Sequence, residues 1–133
     1  MSKSRFPRPT EAELEIMRVL WARGPSTVRQ IFETPGSTSS GYTTVLKLLQ
    51  IMHQKGLVRR DESERSHVYR AARSRERTEQ AIIGDLLARV FDGSASRLVM
   101  QALASRATPP EELEAIRRLL DERARPSSRE PRK

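Results

Sequence analysis

The sequence has no cysteine, few aromatic residues (5%) and no apolar run close to the roughly 18 residues that a membrane-spanning helix needs. Without cysteine, disulfide frameworks, thiolate metal sites and a cysteine nucleophile are excluded. The first seven residues, Met-Ser-Lys-Ser-Arg-Phe-Pro, also lack the apolar stretch of a secretory signal peptide. A length of 133 residues is enough for one compact domain, or for a small domain with an appendage. We therefore expect a soluble, cytoplasmic protein with a hydrophobic core of its own.

Acidic residues are too few to balance the basic ones, because 17 Asp and Glu oppose 25 Lys and Arg, for a net charge of +8. The basic excess lies at the two ends of the chain. Residues 1–73 carry a net charge of +6, residues 74–122 carry −2, and residues 123–133 carry +4. Since a basic domain attracts polyanions, this distribution predicts that the first half of the chain binds a polyanion and that the middle segment has another role.

Side chains for catalysis are also scarce. The two histidines, His53 and His67, have no Ser, Asp or Glu pattern beside them that would place a nucleophile next to a base. A glycine-rich phosphate loop and the usual histidine spacings of metal sites are absent from the sequence. We therefore expect a protein that is not an enzyme, with no catalytic residues, no metal site and no cofactor.

What is present is a series of helix signals in the first half. Thr10 to Glu13 has the spacing of a capping box, and the apolar positions that follow have helical periodicity up to Gly24. Ser26 is predicted to cap a short second helix, with Val28, Ile31 and Phe32 facing inward. A third helix is predicted over Tyr42–Lys55, ending at Gly56.

After Gly56 the periodicity changes from helical to extended. Residues 57–60 and 67–70 are predicted to form two short strands, and the polar residues 61–66 form the tip between them. Three helices followed by a two-stranded wing predict a mainly α fold with a winged helix-turn-helix domain over residues 10–73. Residues 1–9 are predicted to be a flexible basic arm that precedes this domain.

The remaining sequence predicts a helical dimerisation domain over residues 74–122 and a disordered basic tail over residues 123–133. Three helices are expected here, capped by Ser74, Ser94 and Thr108. Their apolar stripes are broader than one winged helix can cover, so a second copy of the chain is the expected partner, although packing of these helices back onto residues 10–73 is the alternative. The predicted dimer interface consists of Ile82, Ile83, Leu86, Leu87, Val90, Phe91, Leu98, Val99, Leu103, Leu113, Ile116, Leu119 and Leu120.

In a helix-turn-helix, the second helix of the motif enters the major groove of double-stranded DNA, where base edges present distinct donors and acceptors. Residues 42–55 take that position here. The side chains predicted to contact bases are Thr43, Thr44, Leu46, Lys47 and Gln50. The side chains predicted to contact the DNA backbone are Ser26, Thr27, Ser40, Tyr42, Arg59, Arg60 and Arg65.

Each of these assignments has a structural alternative. The Thr, Lys and Gln side chains also suit an ordinary solvated helix face, and Leu46 or Ile51 could lie at the edge of the core. Arg60 and Arg65 are close in sequence to Asp61, Glu62 and Glu64, so ion pairs within the wing compete with DNA contacts. A winged helix that acts as a protein-interaction adaptor, without sequence-specific DNA binding, is the alternative function.

Several of these segments together resemble a known family, the BlaI/MecI-like penicillinase and methicillin-resistance repressors, which have copper-responsive CopY-type relatives. The resemblance extends from Pro9 to about Glu122. The segments that carry it are Thr10–Trp21, Tyr42–Val45 with Leu48 and Leu49, Lys55–Val58, Phe91–Ser94 and Glu111–Glu122.

The resemblance implies a homodimeric winged-helix repressor that occupies an inverted-repeat operator of TACA/TGTA character. It also implies control of resistance genes such as that for β-lactamase, and a membrane sensor protease as a partner. Two features depart from the family pattern. Members induced by proteolysis are cut at an Asn-Phe bond, where this chain has Gln101 and Ala102, so the mode of induction stays open. Copper-responsive relatives carry a cysteine motif that this sequence lacks.

Overall fold

The computed structural model of the chain describes residues 8–126. Most of the predicted arm (residues 1–9) and most of the predicted tail (residues 123–133) lie outside the described residues. Six helices and three strands occur in the described part, in the following order: α1 (Glu11–Arg23), β1 (Ser26–Thr27), α2 (Val28–Glu33), α3 (Tyr42–Lys55), β2 (Val58–Asp61), β3 (Val68–Ala71), α4 (Arg75–Arg89), α5 (Ala95–Ser105) and α6 (Pro110–Ala124). This mainly helical architecture is consistent with a winged helix.

The chain forms two compact units, the first ending at Ala88 and the second beginning at Arg89. The first unit contains α1, α2, α3, the three strands and nearly all of α4, and the second contains α5 and α6. Helix α4 therefore clusters with the preceding winged helix rather than with the two helices that follow it. The predicted boundary at residue 73 stays a prediction.

Helix α1 begins with the predicted capping box, which is confirmed. The Thr10 hydroxyl accepts a hydrogen bond from the Glu13 N–H at 3.2 Å, and the Glu13 carboxylate accepts one from the Thr10 N–H at 2.9 Å. The carboxylate of Glu13 is almost fully buried, and Lys55 at the end of α3 donates to both of its oxygens, at 2.9 and 3.1 Å. The start of α1 and the end of α3 are thus joined by a buried ion pair.

The start of α2 differs from the prediction. Thr27, not Ser26, is the N-cap, and it forms a second capping box with Gln30. Ser26 is fully buried in β1, opposite Tyr69, and its hydroxyl donates to the Gly24 carbonyl at 2.8 Å. The wing is correspondingly larger than the predicted two-stranded sheet, because β1 pairs with β3 and extends it to three antiparallel strands in the order β1-β3-β2.

Helix α3 has the predicted bounds and ends at Gly56, whose left-handed backbone (φ +86°) only glycine adopts without strain. Of the predicted apolar stripe, Val45, Leu49 and Met52 are fully buried and Leu48 is half-buried. This stripe packs against α1, α2 and the sheet. The core of the first unit is formed by Ile16, Met17, Val19, Leu20, Val28, Ile31, Val45, Leu49, Met52, Leu57, Val58 and Tyr69.

One predicted core residue of α2 lies at the surface instead. Phe32 is 37% exposed, and its ring meets the ring of Tyr42 edge to face, with a centroid separation of 5.6 Å. The short α2 has room for two inward positions only, and Val28 and Ile31 occupy them. The prediction that Phe32 faces the core is therefore wrong.

The junction between the sheet and α4 is formed around Trp21. The indole N–H of Trp21 donates to the Arg73 carbonyl at 3.0 Å, and the Arg75 guanidinium lies 5.9 Å from the ring centroid. At the other end of α4, Asp85 forms an ion pair at 3.2 Å with Arg8, a residue that we assigned to the arm. These contacts hold α4 against the winged helix.

The second unit follows the predicted helices with two corrections. Ser94 caps α5 as expected and accepts a hydrogen bond from the Arg97 N–H. The predicted capping box at Thr108 is wrong, because α6 begins after Pro109 without a side-chain cap. Helix α6 also continues to Ala124, which extends it past residue 122 into the predicted tail. Within residues 8–126, none of the helices is long and apolar enough to cross a membrane.

None of the predicted dimer-interface residues is buried in the single chain. Neither α5 nor α6 has a buried residue. The exposed members of the set are Ile83, Val90, Val99, Leu103, Leu113, Leu119 and Leu120, and the half-buried members are Ile82, Leu86, Leu87, Phe91, Leu98 and Ile116. Gln101 and Ala102, where the resemblance places the cleaved bond of proteolytically induced repressors, are exposed in the middle of α5.

Candidate nucleic-acid interface

An open cleft of about 440 Å³ lies between α2, α3 and the wing in the first unit. It brings together residues that are far apart in the sequence. The lining residues are Thr27, Val28, Arg29, Tyr42, Leu46, Gln50, Arg60, Arg65, Ser66, His67 and Tyr69. Six of them belong to the predicted DNA-contacting sets, namely Thr27, Tyr42, Leu46, Gln50, Arg60 and Arg65.

The polar face of α3 borders this cleft. Because Val45, Leu49 and Met52 are buried, the helical repeat of about 3.6 residues turns the opposite face to solvent. Thr43, Thr44, Lys47 and Gln50 are all exposed, as predicted for base contacts. Gln54 is exposed on the same face, one turn beyond Gln50, and the sequence analysis did not include it because it lies in the second half of the helix.

Leu46 has an intermediate position. It is half-buried and packs against the edge of the core, yet it also lines the cleft. Ile51, the other residue for which the core edge was an alternative, is 39% exposed. Of these two apolar residues of α3, only Leu46 faces the cleft.

Two arginines of the wing line the cleft, and they differ in whether an acidic side chain already binds them. Arg60 is bonded to Glu62, with both guanidinium contacts at 2.7 Å, and hydrogen bonding to the Tyr69 hydroxyl, followed by Glu62, raises the pKa of Arg60. Arg65 has no ion-pair partner within residues 8–126. The predicted alternative of ion pairing within the wing thus applies to Arg60, while Arg65 presents an unpaired guanidinium to the cleft.

The tip of the wing is held by a local turn. The Asp61 carboxylate accepts a hydrogen bond from the Ser63 N–H at 3.0 Å. This bond, together with the Ser63 hydroxyl and the charge of Arg70, lowers the pKa of Asp61. This bond orders the start of the polar tip, at residues 61–63.

Arg59 lies on the opposite side of the sheet from the cleft. Strand register places Arg60 beside Tyr69, which line the cleft, and places Arg59 beside Arg70. Since successive residues of a strand point to opposite faces, Arg59 and Arg70 share the outer face, where both are exposed. The structure therefore does not bring Arg59 together with the other predicted backbone contacts.

Two predicted contacts near the helix starts are used internally. Ser26 is fully buried and its hydroxyl is already bonded to Gly24, so its assignment to DNA is corrected. Ser40 is half-buried, and its N–H donates to the Thr38 hydroxyl at 3.0 Å, so this donor is already used within the protein. Thr27 and Tyr42 remain on the rim of the cleft.

Arg29 is the cationic residue of the cleft that the sequence analysis missed. Its guanidinium lies 5.3 Å from the centroid of the Tyr42 ring and forms an ion pair with Glu33 at 3.2 Å. In the sequence, Arg29 and Glu33 have the spacing of an ordinary surface pair on a helix, and nothing local indicates that Tyr42 is beside them. Only the packing of α2 against α3 reveals the cluster.

Of the residues that line the cleft, one is a histidine and none is acidic. Among residues 8–126, no group of three or more His, Cys, Asp or Glu side chains is arranged to hold a metal ion. His67 lines the cleft and His53 is half-buried near the end of α3, so the two histidines lie on different elements. The site is a cationic, partly aromatic concavity beside an exposed polar helix.

Comparison with known proteins agrees with this geometry. Residues 9–122 match the family described as penicillinase repressor. The chain is also 30% identical over 121 residues to the transcriptional regulator BlaI of Mycobacterium tuberculosis, in both strain CDC 1551 / Oshkosh and strain ATCC 25618 / H37Rv, and the match covers 90% of this chain and 87% of the relative. The chain therefore belongs to the penicillinase repressor family of transcriptional repressors.

Proposed function

We propose that the protein is a homodimeric DNA-binding repressor that occupies an inverted-repeat operator of the family's TACA/TGTA type and blocks transcription of resistance or stress genes, such as that for β-lactamase. The observation that carries this proposal is the cleft, which joins the exposed polar face of α3 to cations from α2 and the wing. Groups suited to contact bases thereby lie beside groups suited to contact phosphates, which supports the proposal because a major-groove complex needs both.

The polar face of α3 supplies the chemistry for base recognition. Lys47 can donate to guanine O6 and N7, and Gln50 can form two hydrogen bonds with adenine. The methyl groups of Thr43 and Thr44 can pack on the methyl group of thymine. Because Val45, Leu49 and Met52 anchor the opposite face in the core, the helix can present these groups without losing its packing.

Dimerisation would explain the exposed apolar residues of α5 and α6. Helices α5 and α6 have no buried residue, although both carry apolar stripes, and an isolated pair of such helices gains little stability from its own packing. A second copy would cover Val99, Leu103 and Leu120 and would place two α3 helices on one face of DNA. Two-fold symmetry of the protein then requires two-fold symmetry of the operator.

DNA binding as a function is tested by titrating the chain against a duplex from its own upstream region and against a scrambled duplex of equal length. We expect tighter binding to the first duplex, and a linear fall of log affinity with log salt concentration on both. Footprinting then locates the operator. Equal or undetectable binding to both duplexes at low salt would instead favour a protein-interaction adaptor.

Replacing Lys47 with Ala should lower operator affinity by about 1–3 kcal/mol if the ammonium group contacts a guanine. The loss should be much smaller on the scrambled duplex, because that contact is specific for the base. A loss of equal size on both duplexes would assign Lys47 to a phosphate. The control is Arg18→Ala, which removes a cation from the exposed side of α1, outside the cleft.

Arg65→Gln and Arg60→Gln should separate a DNA contact from an internal one. The unpaired Arg65 is expected to contribute a phosphate contact, so its loss should weaken binding on any sequence and reduce the salt slope by about one per protomer. Arg60 is already bonded to Glu62, so Arg60→Gln should change the slope less. If Arg65→Gln and the parent protein have equal slopes of log affinity against log salt concentration, Arg65 does not contact DNA.

A further inference from the structure

We propose that Arg29 is a phosphate ligand of this interface and that Tyr42 acts as the platform that orients its guanidinium. The proposal rests on the DNA-binding function above and adds to it a residue of the same cleft. It also assigns Tyr42 a different role from the direct backbone contact that the sequence suggests. The structural basis is the juxtaposition of Arg29, Tyr42 and Glu33 on the rim of the cleft.

The guanidinium of Arg29 is held from two sides. The Tyr42 ring lies 5.3 Å away, within the range of a cation–π interaction, and the Glu33 carboxylate accepts a hydrogen bond at 3.2 Å from one terminal nitrogen. The side chain of Arg29 is nevertheless 67% exposed. Its remaining N–H groups are therefore accessible to a ligand that enters the cleft.

A planar guanidinium with several free donors suits the oxygens of a phosphate better than an ammonium does. Ordering an arginine side chain normally opposes binding, because rotamer freedom is lost. The contacts with Tyr42 and Glu33 restrain Arg29 before DNA arrives, so less entropy remains to be lost. The same cleft contains Arg65, and the polar face of α3 lies beside it, so a phosphate at Arg29 would lie next to the proposed groove contact.

The Tyr42 ring has an aromatic packing partner of its own. Tyr42 is the first residue of α3, and the ring of Phe32 meets it edge to face at an interplanar angle of 86°. Phe32 and Glu33 follow Arg29 by one turn of α2. Phe32, which is 37% exposed, thus packs against the Tyr42 ring instead of joining the core.

Glu33 has the opposite effect to Tyr42. Its carboxylate occupies one donor of Arg29 in the free protein, and its negative charge would lie near a bound phosphate. DNA must compete with this ion pair for the guanidinium. Removal of the Glu33 charge should therefore strengthen DNA binding, and most of that gain should require Arg29.

The first experiment measures DNA affinity against salt concentration for the full chain, Arg29→Gln, Arg29→Lys and the control Arg18→Gln. We expect Arg29→Gln to weaken binding about 5- to 10-fold near 0.15 M salt, and to reduce the salt slope by about one per protomer, on operator and scrambled DNA alike. Arg29→Lys should keep the slope and recover only part of the affinity, while Arg18→Gln should match the parent protein. A parent-like affinity and slope for Arg29→Gln would overturn the proposal.

The second experiment tests the platform. Tyr42→Phe keeps the aromatic face and should bind DNA like the parent protein, whereas Tyr42→Leu should lose about as much affinity as Arg29→Gln. Combining Tyr42→Leu with Arg29→Gln should add little further loss, because both changes act on one contact. If Tyr42→Phe loses as much as Tyr42→Leu, the hydroxyl group itself contacts DNA and the platform role is wrong.

The third experiment uses Glu33→Gln in both backgrounds. We expect a gain of about 2-fold per protomer when Arg29 is present, and a smaller gain in the Arg29→Gln background. Equal gains in the two backgrounds would show a general effect of charge and would contradict the competition. If the parent chain binds neither duplex, the proposed function itself is wrong. If the parent chain binds and Arg29→Gln binds equally well, only the role of Arg29 is wrong.

Discussion

If the chain dimerises as proposed, replacing Leu120 with Asp is expected to give a monomer and to lower operator affinity by about 100-fold or more. Leu120 is 58% exposed in the single chain, so a charge at this position does not disturb the fold of a protomer. In a dimer, the same charge would be buried without a partner. A monomer engages one half-site only, and the advantage of binding two linked sites, which is commonly 10²- to 10⁴-fold, is lost.

Sedimentation at micromolar concentration should show Leu120→Asp at the chain mass of 15.2 kDa and the parent protein at twice that mass. The matched control is Arg118→Gln, which changes the net charge by the same amount on the opposite side of α6. It should remain a dimer. A monomeric parent protein that still binds its operator tightly would contradict the proposed assembly and leave the winged helix as the whole DNA-binding unit.

Replacing Lys55 with Met is expected to destabilise the first unit by about 2–4 kcal/mol. The Glu13 carboxylate is only 3% exposed, and Lys55 is the cation that compensates its charge. Removal of one partner of a buried ion pair leaves an uncompensated buried charge. The Lys55 side chain is one-third exposed, so water partly replaces it, and the expected loss is at the lower end of the range for such pairs.

Denaturant unfolding at a fixed chain concentration measures this loss, with the double variant Glu13→Gln/Lys55→Met as the decisive comparison, because Gln keeps an acceptor for the Thr10 N–H of the capping box. Because the double variant removes both charges, we expect it to recover much of the stability that Lys55→Met alone loses. The surface pair Arg29–Glu33 supplies the control, since Glu33→Gln should cost about 0.5 kcal/mol or less. A loss for Lys55→Met no larger than for Glu33→Gln would show that the ion pair contributes little.

Local signals in the sequence predicted most of the fold because they describe contacts between near neighbours. The capping box at Thr10, the left-handed position at Gly56 and the apolar spacing of Val45, Leu49 and Met52 each depend on residues within about two turns. The polar face of α3, which contains Lys47 and Gln50, followed from the same spacing. This part of the candidate site was predictable for the same reason as the helix that carries it.

Contacts between distant segments account for most of what the sequence did not predict. Strand β1 has only two residues, Ser26 and Thr27, and exists because β3 pairs with it from far along the chain. That pairing buries Ser26 and shifts the N-cap to Thr27. The state of Arg60 depends similarly on Tyr69 across the sheet, and that of Arg29 on Tyr42 of another helix. Arg60 and Tyr69, like Arg29 and Tyr42, are too far apart in the sequence for a pattern of neighbouring residues to reveal their contact.

The contact between Trp21 and the Arg73 carbonyl has a practical consequence. Trp21 is the sole tryptophan of the chain, and its indole lies at the joint between the winged helix and α4. Tryptophan emission depends on the surroundings of the indole, which here include the hydrogen bond at its nitrogen and the Arg75 guanidinium 5.9 Å from the ring centroid. The protein thus contains an intrinsic fluorophore at this joint, and any rearrangement of α4 upon addition of duplex can be followed in real time without a chemical label.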